Sequence, residues 1–167
     1  MEDNEREQRL EKLKSSAEGW VNAQDPGLAL GGMIETAFLM AAADGELSGI
    51  EQEQLVATIE YIAGERYDTD RIRSMLDQLL ESLQADGWET RIAAVAGSLT
   101  DPEARRNAYR LAAGVSFVDG EVQESEERLF GLLAQAFEIP EKEAEWILTE
   151  VRDELFGVPA EGAEAGQ

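Results

Sequence analysis

A short acidic turn is written twice in this chain. The first copy reads Ala42-Ala43-Asp44-Gly45-Glu46-Leu47-Ser48, with Glu51 shortly after. The second reads Phe117-Val118-Asp119-Gly120-Glu121-Val122-Gln123, with Glu126 at the same interval. Each copy closes an apolar, alanine-rich run and opens a new helical pattern. A repeat identifies the folding unit before any single residue is assigned. The unit here is helix, Asp-Gly-Glu turn, helix. Gly45 supplies the left-handed conformation that ends a helix, and Ser48 with Glu51 has the spacing of a capping box that starts one.

The rest of the chain repeats helical spacing. Leu10, Leu13, Ala17, Trp20 and Val21 form a narrow apolar stripe, so residues 1–24 read as an amphipathic helix, docked or extended as an arm. Asp25-Pro26-Gly27 breaks it. Leu28 to Ala43 is apolar all round, as a central buried helix is. Further helical patterns run over Ile50–Ile62, Ile72–Leu83, Trp88–Leu99, a stretch after Thr100-Asp101-Pro102-Glu103 reaching Val118, then Leu129–Phe137 and Ala144–Phe156. Thr100 is the expected cap of the helix at Pro102. Gly31, Gly32 and Gly114 fall in corresponding apolar helices, where they allow close crossing. Trp20, Trp88 and Trp146 read as core or helix-interface residues. No alternating strand pattern stands out. The expected fold is all-α: an orthogonal bundle of about seven to eight helices built on two helix-(Asp-Gly-Glu turn)-helix hairpins. Residues 28–156 make the domain, and 158–167 form a small, polar tail expected to be disordered.

Charge sets the function classes. Thirty-six acids against fourteen bases give a formal net charge of -22. Such a surface repels nucleic acid and anionic lipid and attracts cations or a protein partner with a basic surface. A Lys-poor acidic surface (only Lys12, Lys14 and Lys142) also suits a high-salt host. The chain has no Cys and no His, which removes thiolates and the commonest general base. Any metal site must be all oxygen, hence calcium, magnesium or manganese. No segment is apolar and long enough to span a bilayer, and the charged Glu2–Lys14 run is no signal peptide, so the expected home is cytoplasmic.

Asp44, Glu46, Glu51, Asp119, Glu121 and Glu126 are the candidate metal ligands. Their spacing matches the second half of an EF-hand loop, but the earlier ligand positions hold Met40, Ala42, Val115 and Phe117, which rules against an EF-hand. Two readings stay open. Asp, Gly and the later Glu suffice as turn and cap residues with no ligand. The extra Glu46 and Glu121 crowd a third carboxylate into each turn, a repulsion that solvation or a shared cation relieves. Arg105, Arg106 and Arg110 form the one basic cluster, expected to pair with nearby Glu. Ser15, Ser16 and Ser116 lack a basic partner, so nucleophilic catalysis has no support.

Ala-Ala-Ala-Asp-Gly-Glu-Leu-Ser-x-x-Glu, the second Val-Asp-Gly-Glu-Val-x-x-x-Glu and the closing Phe-Glu-Ile-Pro segment resemble the tellurite-resistance TerB family, over about residues 28 to 156. That family shares its fold with the N-terminal domain of DjlA-type co-chaperones. The resemblance implies an all-helical fold, a stress-response role, acidic residues proposed to chelate metal, and no established catalytic activity. The alternative is a metal-free, co-chaperone-type adaptor that docks a basic partner.

Overall fold

The computed structural model describes the backbone at residues 2–22, 26–43, 47–63, 67–118 and 122–156. Side chains are described at those positions except 2, 3, 18, 21, 22, 26–30, 62 and 63. The expected tail, 158–167, lies outside the described residues. Eight helices and no strand occur among the described residues: α1 (Glu2–Asn22), α2 (Pro26–Ala41), α3 (Gly49–Ala63), α4 (Thr69–Asp86), α5 (Trp88–Ser98), α6 (Pro102–Val118), α7 (Glu124–Ala136) and α8 (Glu141–Phe156).

The two alanine-rich helices of the repeat, α2 and α6, share the most extensive contact in the bundle. Met33 to Met40 of α2 are buried without a break, so this stretch has no solvent face. α6 meets it with small residues, Ala108, Ala112 and Ala113, all fully buried. Bulky side chains on one helix against alanines on the other let the axes approach and still fill space. Burying a residue such as Phe38 or Leu39 is worth about 1.5–3 kcal/mol.

A fully buried helix cannot leave a charge unpaired. Glu35 of α2 accepts two hydrogen bonds from Arg91 of α5, Nε to Oε2 at 2.9 Å and the second terminal nitrogen to Oε1 at 3.0 Å. Asp86 holds the far side of the same guanidinium at 3.2 Å. The bond from Glu35 raises the Arg91 pKa further above its ordinary value. Tyr109 of α6 donates to the Phe130 carbonyl at 3.3 Å, and burial pushes its pKa up to about 12.

Helix α1 lies against the bundle rather than extending as an arm. Leu13 and Ala17 are fully buried and Leu10 nearly so, packed among α6, α8, α3 and α2. Gly114 makes this possible. A Cβ there would stand 2.3 Å from Leu13 Cδ1, far inside van der Waals contact. Gly32 does the same for Leu99, whose Cδ2 would lie 2.8 Å from a Cβ. Gly31 does not share that role: a Cβ on it meets open space. Asn107 of α6 ties the end of α1 down by donating to the Trp20 carbonyl at 3.2 Å.

Two further expectations need correction. The cap of α6 is Asp101, not Thr100: its Oδ2 accepts from Ala104 N at 3.3 Å. Pro102 occupies the first helical position, so the residue before it becomes the cap. Trp146 is 59% exposed and belongs to no interface among the described residues; it falls on the outer face of α8, while Ile147 and Val151 turn inward. The basic cluster divides its work. Arg106 pairs with Glu143 and Arg110 with Glu103 and Glu150, as expected; Arg105 stands 3.9 Å from Glu138 and also donates to the Leu99 and Ala96 carbonyls at 2.6 and 2.8 Å, closing the end of α5.

Gly114→Ala is expected to cost about 1–3 kcal/mol in urea denaturation, and to cost less when Leu13→Ala is already present, because the obstructing methyl is gone. Additive costs would contradict this packing. The Glu143 carboxyl is held below its ordinary 4.5 by the hydrogen bond from Arg106. A carboxyl with a depressed folded pKa adds stability above its unfolded value and loses it as pH falls through the folded one. Stability measured from neutral to acid pH should therefore fall less steeply below about 4.5 in Glu143→Gln than in the parent.

Candidate functional site

Both outgoing helices of the repeat begin with the same local chemistry. At α3, Ser48 N donates to Glu51 Oε1 at 2.9 Å, and Glu51 N donates to Ser48 Oγ at 3.2 Å. This is the capping box expected from the sequence. At α7, Gln123 N donates to Glu126 Oε1 at 2.7 Å. Each Glu thus satisfies an orphan backbone donor and places its charge at the positive end of a helix. Each of these bonds uses one carboxylate oxygen, Oε1.

The crossing of α2 over α6 brings these two helix starts together. Glu51 and Glu126, equivalent residues of the two copies, line a single pocket of about 110 Å³. Met40 and Ala41 of α2 and Val115 of α6 form its apolar side, and Gln54, Thr58, Gln123 and Ser125 add polar groups. A water molecule needs about 10–15 Å³ of such space, so the pocket has room for several waters or for a small hydrated ion. Asp44, Glu46, Asp119 and Glu121 lie outside the described residues. Among the described residues no three acidic side chains are grouped to hold a metal.

Helix α1 adds what the acidic turns alone did not suggest. Arg6 lines the same pocket as Glu51 and Glu126. One turn further on, Arg9 Nε donates to the Val118 carbonyl at 2.9 Å, at the C-terminal end of α6, where the helix dipole favours a cation. The Arg9 guanidinium also stands 5.2 Å from the Phe156 ring centroid. The signal for both residues was present: Arg6 and Arg9 precede Leu10 and Leu13 at helical spacing, so docking the apolar stripe carries them inward together. What the sequence lacked was the surface on which α1 docks.

Comparison with protein-family models matches residues 32–148 to a family described as Tellurite resistance protein TerB. No curated protein and no solved structure gives a match. The matched range contains both turns and both capping glutamates, and leaves out α1.

Glu51→Ala should cost about 1 kcal/mol in urea denaturation by removing the box. Glu51→Gln keeps an acceptor oxygen and should cost less than half of that. Equal losses for the two would mean that charge, not the backbone bond, is what Glu51 contributes.

Proposed function

Since the chain belongs to the tellurite-resistance TerB family, we propose that it is a non-enzymatic stress-response domain that binds a divalent cation through its two acidic turns. One observation carries this reading: Glu51 and Glu126, at equivalent places in the two copies, face a common pocket. Asp44, Glu46, Asp119 and Glu121 precede these helix starts in sequence and are the further oxygen donors that this reading invokes. With no His and no Cys in the chain, that set suits calcium, magnesium or manganese. Calcium fits best, because it accepts many carboxylate oxygens in irregular geometry.

Arg6 sets the balance at this site. A guanidinium beside two carboxylates partly offsets the charge that draws an ion in. The same observation favours a second reading, in which the acidic turns take no metal and dock a partner's basic side chains. No helix among the described residues is long and apolar enough to cross a membrane, so neither reading invokes a helical span.

Calorimetric titration of the full chain with calcium, magnesium and manganese separates the two. The expected result is saturable binding of at least one ion, lost in Asp44→Asn combined with Asp119→Asn. Arg6→Ala should tighten it by roughly three- to tenfold, since one nearby positive charge is removed. No heat with any of the three ions would overturn the cation reading.

A further inference from the structure

The two copies of the repeat diverge after their second helix. In the first copy, α4 packs directly on α3, and Arg73 reaches across to Glu53 at 2.7 Å while Gln52 meets Asp77 at 3.3 Å. In the second copy, α8 turns away from α7 and lies on α6 and α1 instead. Arg106 holds it there through Glu143, and Arg110 approaches Glu150 at 4.0 Å. The space that α4 closes in the first copy is left open between α7 and α8.

That space is a groove made of two adjoining pockets of about 720 and 610 Å³, which share Glu127, Phe130 and Leu148. Its floor is α6, through Tyr109 and Phe117. It runs from the α7–α8 connection at Ile139 to Val122 and Phe156 at the far end. α7 has thirteen residues, about 20 Å at 1.5 Å per residue. The groove is therefore as long as three to four helical turns. Tyr109, Phe117 and Phe130 lie buried beneath it, and its accessible apolar side chains are Val122, Leu148 and Phe156. The exposed rim carries Glu127 from α7 and Glu141 and Glu145 from α8, against Arg152 alone.

We propose that the α7–α8 groove binds an amphipathic helix of a partner protein, with its apolar face on the partly exposed Val122, Leu148 and Phe156 and with Lys or Arg along its edges meeting Glu127 and Glu145. The shape is that of helix-in-groove recognition, and the rim charge selects the sign of the partner. Two other occupants fit poorly. The chain's own residues 157–167 carry Glu161 and Glu164 and no base, so like charge opposes them. In a second copy the one helix with more bases than acids is α6, with Arg105, Arg106 and Arg110 against Glu103, and its apolar residues, Leu111, Phe117 and Val118 among them, are already buried. The groove adjoins the Glu51–Glu126 pocket at Gln123 and does not depend on the cation reading.

The test is fluorescence anisotropy of the full chain with a labelled peptide of about fourteen residues, built from Leu and Lys in amphipathic helical order. A scrambled peptide of the same composition is the control. Near physiological salt, the ordered peptide is expected to bind at least about tenfold tighter than the scrambled one. Glu127→Lys with Glu145→Lys should weaken it by about tenfold or more. Glu81→Lys with Glu89→Lys makes the same change of net charge on exposed sites of α4 and α5 and should leave affinity within about threefold. Thermal melts by circular dichroism confirm that both double variants fold. Equal binding of the two peptides, equal losses in the two variants, or no binding would overturn the proposal. So would a concentration-dependent dimer that the groove variant abolishes, which would give the groove to a second copy.

Discussion

The structure depends on one crossing, that of α2 over α6. α2 can be apolar on every side because the rest of the bundle surrounds it, and the alanines of α6 let it come close. Since these helices are the first members of the two repeated hairpins, their crossing also fixes where each chain reversal ends. The packing that stabilises the fold is thus the packing that sets Glu51 and Glu126 on one pocket. Site and core are not separable here. A change that shifts the α2–α6 contact shifts both helix starts.

Charge is arranged by the same frame. With -22 net charge, the chain's scarce arginines are placed where an anion or a carbonyl would otherwise stand uncompensated. Arg91 answers the buried Glu35, Arg105 closes the end of α5, and Arg106 anchors α8 through Glu143. Arg9 caps α6 at Val118. Their positions are structural, which leaves the outer surface strongly acidic. The open groove between α7 and α8 inherits that acidity at its rim, and the pocket shared by Glu51 and Glu126 has Arg6 as a built-in basic lining residue.

Much of this was legible in the sequence, for physical reasons. Helical periodicity is local, so all eight helices could be read, and the breadth of the Leu28–Ala43 apolar run marked α2 as central. The Ser48–Glu51 box depends only on neighbours and was found as expected. Other features depend on partners far along the chain. The docking of α1 needed Gly114 opposite Leu13. Thr100 looked like a cap until Pro102 set the first helical position and gave the cap to Asp101. Trp146 read as an interface residue by its size, whereas its place on α8 turned it outward. The meeting of Glu51 with Glu126 is tertiary, and no local pattern encodes it.

The central claim is that the two turns serve one site rather than two. Backbone amide NMR during calcium titration addresses it directly, because Gly45 and Gly120 each report on their own turn. The expected result is that both glycine amides shift together, with a single affinity and one ion per chain. Shifts confined to one turn, or two turns titrating independently, would contradict it.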